Sequence, residues 1–403
     1  MGIVFADEFF DDLGTLPLGY IPYGGADFGE VQAVAQVVGN GDSTAFYNAW
    51  VDAADRLAAE AEVALSWGHR AAAHESLLRA ACFYSTSYRP LYGEPVDARI
   101  VRAFRKQMSA FDQALALREI PVEGVRIPFE GTTMPGYLIP AVGHEREVRP
   151  LLILTNGYDA TVTDMYFGSA VAATRRGYHC LVFDGPGQGE MLFEHGIRLR
   201  PDWETVINAV VDFALALPIV DDKRIALSGW SLGGYLAPRG ASGEPRLAAL
   251  IADPGLWSMA GGFRPIAMKF GMAPEAVNNL GALDQSVIDR LDQMIAANRS
   301  LHWSFVQRGY WVHGVNNLRD YLKAIEMFTM DGRADLIKCP TLLTAAESDT
   351  RAGSAQEFFD ALQCPKQLIR FTAMEGAGMH CEQMNRSLLN RRALDWLDEK
   401  FGL

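Results

Sequence analysis

An α/β fold built on a mostly parallel, eight-stranded sheet is the class this sequence predicts. Three observations carry it. From Val122 onward, short apolar runs alternate with helical segments. Most of those runs end in turns bearing glycine or acidic residues. One long aromatic interval without strand pattern then separates two of the runs. Strands that alternate with helices pair in parallel, with helices covering both faces of the sheet. In such sheets the chemistry gathers at the carboxyl ends of the strands.

The elements follow in chain order. Residues 1–121 read as a helical region, with apolar residues every three or four positions over 52–65, 69–84 and 101–117. Runs at 125–129 and 134–139 flank Glu130-Gly131-Thr132-Thr133 and read as a hairpin. Further strands are expected over 151–154, 178–183, 224–228, 247–252, 341–346 and 367–371. The core therefore comprises 122–254 and 339–403. The interval 255–338 is too long for a bare loop, and its aromatic, helical character predicts a cap over the strand ends.

Composition narrows the function classes. Of the 403 residues, 49% are apolar and 21% charged, which is globular and rules out a disordered chain. The formal charge of −13 disfavours nucleic acid and anionic membranes as partners. No apolar stretch reaches the ~18 residues of a membrane span. The first residues carry acids and no lysine or arginine, unlike a secretory signal. Five scattered cysteines without a C-x-x-C pair read as reduced thiols, so a cytoplasmic location is expected.

The sharpest local signal is Gly229-Trp230-Ser231-Leu232-Gly233, directly after a strand and before a helical run. This is the G-x-S-x-G pattern, in which a tight turn lifts the serine hydroxyl clear of the sheet. A serine needs a base, and the pattern predicts an acid and then a histidine downstream. Asp349 follows the strand at 341–346. Glu347 is the rival acid, but Asp349 lies further out, where the turn faces the site. His380 is the only histidine after Asp349, in a glycine-rich loop beyond the last strand. The backbone amide of Leu232 is one expected oxyanion donor. A second is expected from the loop after strand 151–154, at Gly157 or Tyr158. Asp159 and Trp230, with Trp257, Trp303 and Trp311 of the cap, are candidates to line the pocket. Aromatic residues at helical spacing more often serve as core. The turn Gly185-Pro186-Gly187-Gln188-Gly189 fits no dinucleotide fingerprint and reads as a plain turn.

With these residues in place, the chain resembles the α/β-hydrolases related to 2,6-dihydroxypseudooxynicotine hydrolase and to fungal pigment enzymes that shorten polyketide chains. The likeness runs through "IPFEGTTMPGYLIP", "FDGPGQGE", "GWSLGGY", "WVHGVNNLRDYL", "CPTLLTAAESD" and "EGAGMHCE". Position by position, Ser231, Asp349 and His380 match that family's nucleophile, acid and base. The resemblance implies hydrolysis of a carbon–carbon bond beside a ketone, or of an ester. It also implies a homodimer formed through the N-terminal region. The nicotine-pathway relative has an extra glutamate shortly after the elbow, a position for which this chain offers Asp253.

The expectation is therefore a capped serine hydrolase acting through an acyl-enzyme on a bulky, partly apolar small molecule. No metal or organic cofactor is implied. Two rivals stand beside it: an acyltransferase or cyclase using the same residues, and a non-catalytic binding module on a hydrolase fold.

Overall fold

The computed structural model describes residues 2–262, 264, 268, 279–349 and 354–403. Eight strands form one sheet in the order β1-β2-β4-β3-β5-β6-β7-β8. They are β1 Gly124–Phe129, β2 Thr132–Ile139, β3 Arg149–Thr155, β4 His179–Phe183, β5 Val220–Trp230, β6 Ala249–Asp253, β7 Thr341–Ala346 and β8 Lys366–Phe371. Only the β1/β2 and β2/β4 pairs are antiparallel; the others run parallel.

The central strands are buried along almost their whole length because helices cover both faces, which is why they read as unbroken apolar runs. The edges differ. β8 exposes Gln367 and Arg370 and half-exposes Lys366, charge and polarity that discourage edge-to-edge pairing. The hairpin turn is tighter than expected. Only Glu130 and Gly131 lie outside the strands, both at positive φ (42° and 81°), so Thr132 and Thr133 belong to β2. Two successive left-handed residues are what a two-residue hairpin requires.

The N-terminal region forms the helices Glu8–Gly14, Phe28–Val38, Ser43–Ser66, Arg70–Ser87 and Ala98–Ala116. The third begins earlier than its apolar pattern suggests, because the Asp42 carboxylate accepts from the Thr44 and Ala45 amides and caps it. Phe46, Trp50, Phe83, Phe104 and Phe111 are fully buried, and their core is continuous with that of the sheet. Phe111 stacks edge-on against Tyr137 of β2 at 5.0 Å.

Between β6 and β7 the chain leaves the sheet. This insertion holds the helices Gln285–Ala297 and Leu318–Glu326 and a wide π-type turn, Trp303–Tyr310. Ile288, Leu291, Ile295, Leu318, Leu322 and Ile325 form an apolar cluster separate from the main core. An antiparallel bridge between Ser258 and Thr329 closes its base. The part of the expected cap at 263, 265–267 and 269–278 lies outside the described residues.

Candidate active site

Strand order positions the site. β3 sits between β4 and β5, so the chain diverges to either side of it, and the loops after β3 and β5 meet at the carboxyl ends. Thr155 of β3 pairs with Gly229 of β5, and Trp230 pairs with Asp253 of β6. Ser231 follows at φ 60°, left-handed backbone that a side-chain-bearing residue adopts at a cost of about 1–3 kcal/mol. The turn is fixed from two sides. The Ser231 amide donates to the Asp253 carbonyl at 2.7 Å, and the Gly234 amide donates to the Ser231 carbonyl at 2.8 Å. The helix Gly233–Ala241 starts immediately afterwards.

Ser231 Oγ lies 2.9 Å from His380 Nε2, and His380 Nδ1 lies 2.7 Å from Asp349 Oδ2. The Asp349 side chain is 1% exposed and that of His380 23%, so the acid is dry and the imidazole reachable. The acid turn is tied to the histidine loop, since the Ser348 amide donates to the Gly378 carbonyl at 2.8 Å. Glu347 points elsewhere. It is exposed, and its carboxylate accepts from the Ala373 amide at 2.8 Å.

Gly157 lies against the elbow. A Cβ on it would stand 2.7 Å from the Trp230 carbonyl oxygen, 2.9 Å from Ser231 Cβ and 3.3 Å from the Leu232 amide nitrogen. Only a glycine lets the β3 loop come this close, and the approach brings its backbone beside the Leu232 amide. Tyr158 follows, buried beneath the Arg308 guanidinium of the cap at 4.5 Å. Asp159 pairs with Arg308 at 3.2 Å, and its carbonyl accepts from Tyr92 Oη at 3.1 Å.

A family model described as the alpha/beta hydrolase family matches residues 152–387. The chain belongs to that family. Its relatives include the hydrolase LUC6 of a Fusarium species, 33% identical over 99% of this chain and 98% of that protein. The 20-hydroxy-prefusarin hydrolase FUS2 of Gibberella moniliformis is 33% identical, again over 99% and 98%. Among solved structures, that of 2,6-dihydroxy-pseudo-oxynicotine hydrolase superposes with a TM-score of 0.73, covering 94% of each chain at 22% identity. The protein is thus a hydrolase with the architecture expected from its sequence.

Three pocket expectations of this α/β-hydrolase need correction. Trp230 packs downward, with Arg386 over its indole at 4.6 Å and Tyr20 edge-on at 6.2 Å. Trp303 is spent at the seam with the N-terminal helices. Its Nε1 donates to the Arg89 carbonyl at 2.8 Å, and its ring stacks on Tyr92. Trp257 sits at the cap base against Phe358, and its Nε1 donates to Asp331 at 3.0 Å. Trp311 is packed as well, stacked on Phe193 at 5.5 Å, yet it borders the loop after β3. It lines a small gap with Tyr158, Asp159 and Phe193.

Sequence reasoning missed the support under the loop after β3. Gln188 Nε2 donates to the carbonyls of Asn156 (3.0 Å) and Gly157 (2.9 Å), while its Oε1 accepts from the Gly185 amide. Asn156 Nδ2 in turn bonds to Asp184. Burial pushes the Asp184 carboxyl well above its usual range, reinforced by the charges of Asp164 and Glu190. The signal lies in the turn "FDGPGQGE", whose Gln188 the sequence alone gives no partner.

Asp253 is likewise not a free carboxylate facing a substrate. Its Oδ1 accepts from Thr344 Oγ1 at 2.8 Å and its Oδ2 from Arg386 Nη1 at 2.7 Å.

Proposed function

We propose that this hydrolase works through Ser231 as nucleophile, His380 as general base and Asp349 as the group that orients the imidazole. His380 Nε2 takes the hydroxyl proton as Ser231 Oγ attacks a carbonyl carbon, and Asp349 stabilises the imidazolium that results. The amides of Leu232 and Tyr158 receive the developing oxyanion. Collapse of the tetrahedral adduct expels the leaving group and forms an acyl-enzyme. For an ester the leaving group is an alcohol, protonated on oxygen by His380. For a β-dicarbonyl it is an enolate, which His380 protonates at carbon. Water, deprotonated by His380, then releases the acid and restores Ser231.

The observation that carries this reading is the unbroken contact chain Ser231–His380–Asp349, at 2.9 and 2.7 Å, on a strained elbow. The substrate we infer is a bulky, partly apolar ketone, polyketide or ester. A full-length relative named for the hydrolysis of 20-hydroxy-prefusarin supports that class. The cap supports it too, by holding Trp311 and Arg308 over the oxyanion loop.

The test is intact-protein mass spectrometry after exposure to a fluorophosphonate. A single adduct on the wild type, absent from Ser231→Ala, is the expected result. Folded wild type that takes no adduct under forcing conditions overturns the reading. Matched β-diketone and ester panels then decide which bond is cleaved.

A further inference from the structure

Beneath the histidine loop lies a buried ionic cluster that the three reacting residues do not use. His380 is followed by Cys381 and Glu382, both buried and both in left-handed backbone, at φ 55° and 47°. Two successive non-glycine residues hold that conformation only where their surroundings impose it. Asp253 and Arg386 impose it here. Arg386 Nη1 donates to the Cys381 carbonyl at 2.7 Å and to Asp253 Oδ2 at 2.7 Å, and the buried Glu382 carboxyl belongs to the same cluster. Asp253 also reaches the other two parts of the site. Its carbonyl accepts from the Ser231 amide, and its Oδ1 accepts from Thr344 on the strand that leads to Asp349.

The charges do not balance if both carboxyls ionise. Arg386 supplies one positive charge to Asp253 and Glu382, with Asp349 and the Cys381 thiol also facing the cluster and His380 neighbouring it in the chain. Glu382 Oε2 is buried, and no donor among the described residues reaches it. An anionic oxygen without a donor is costly in such a place, whereas a carboxylic acid that donates to Asp253 leaves Arg386 to balance one charge. We propose that Glu382, as a neutral carboxylic acid donating to Asp253, is a positioning residue that holds His380 in line with Ser231. The proposal rests on the assignment of Ser231 and His380 given above. Burial, and then the Asp253 charge, push the Glu382 carboxyl up to about 11, in keeping with the neutral form.

Glu382→Gln keeps a neutral donor of the same length, and Glu382→Leu removes it. With a small activated ester, Glu382→Gln is expected within about threefold of wild-type kcat, and Glu382→Leu about thirtyfold or more below it with KM little changed. The wild type loses rate as pH approaches 11 and Glu382→Gln does not. The folded protein keeps a proton that the unfolded chain releases above roughly pH 4.3, so Glu382 costs stability increasingly as pH rises from there. Glu382→Gln therefore gains Tm over wild type at pH 8 relative to pH 5. Infrared spectroscopy reads the proton directly: in the wild-type minus Glu382→Gln difference spectrum at neutral pH, a protonated-carboxyl C=O component is expected that the Asp184 carboxyl, common to both proteins, does not supply. This comparison decides the matter even where Glu382→Leu does not fold. Absence of that component from the difference spectrum, or Glu382→Gln as slow as a folded Glu382→Leu, overturns the proposal. Wild type that never takes the fluorophosphonate sinks the Ser231–His380 reading, and the positioning role with it. The infrared band still reports the Glu382 proton separately.

Discussion

The floor of the site is joined through main-chain atoms, whereas the cap above it is joined through side chains. On the floor, the Ser231 amide meets the Asp253 carbonyl, and Gly157 lies against Trp230 and Leu232 backbone. In the cap, Trp303 stacks on Tyr92, Trp311 stacks on Phe193, and Arg308 lies over Tyr158. Among the described residues, most of the cap's remaining apolar side chains pack into their own cluster. A floor built this way tolerates almost no change, because a single added methyl meets backbone that cannot move aside. A cap built from side chains can exchange them without disturbing the elbow. On the mechanism proposed above, chemistry is thereby separated from specificity, and substitutions on the two layers should fail in different ways.

The largest effect belongs to the floor. Ser231→Ala is expected to lower kcat by about a millionfold while the protein stays folded, as read by turnover and by an unchanged Tm. Activity within tenfold of wild type would remove Ser231 from the chemistry. Gly157→Ala comes next. Its methyl group collides with the Trp230 carbonyl and Ser231 Cβ, so the loop must retreat from Leu232. Loss of one well-aimed oxyanion donor lowers kcat by about a hundred- to a thousandfold, with smaller change in KM. A Gly157→Ala enzyme of normal kcat would show that the β3 loop does not serve the oxyanion.

These floor residues were legible as candidates because each is fixed by local constraints. The elbow needs its glycines, the acid follows a strand end, and His380 is the only histidine after Asp349. The choice of Asp349 over Glu347 rests on how far the turn extends. The sheet was legible for a similar reason, since the buried parallel strands are apolar without interruption. What escaped depends on pairings distant in sequence. Arg386 and Asp253 meet across 133 positions, and Gln188 reaches Asn156 and Gly157 across 32 and 31. No spacing rule links such residues before the chain has folded. The cap tryptophans escaped differently. Aromatic content announced a cap, but helical spacing does not say which neighbour a ring faces, and Trp230 and Trp303 turned inward.

Trp303 sharpens the comparison from the cap side. It is 6% exposed and bridges the cap to Phe9, Arg89 and Tyr92 of the N-terminal region. Trp303→Ala is expected to cost about 3–5 kcal/mol of stability, measured by denaturant unfolding. Hydrolysis of a small activated ester should persist within a few fold, while a bulky substrate loses kcat/KM. Equal loss on both substrates would mean that the cap aligns Ser231 and His380 as well as the substrate, and the two layers would not be separable.

The smallest effect is a pH dependence of the cap alone. His313 lies among the rings of Tyr158, Tyr321 and Phe328, and its Nε2 has no partner among the described residues. Burial, and then the Arg308 charge, push its imidazole down to about 3, so it stays neutral in the folded protein. The unfolded chain takes up that proton near pH 6.5. Below this pH the unfolded state binds more protons than the native one, and the stability tied to a neutral His313 falls as pH drops toward 3. Above pH 6.5 the residue contributes no slope. His313→Gln cannot titrate and should flatten the acid side of the Tm-against-pH curve while leaving pH 7–9 almost unchanged. Parallel curves for the two proteins would mean that His313 is charged or solvated when folded. The cap would then be looser over Tyr158 than its ring contacts indicate, and the contrast with the rigid floor would widen.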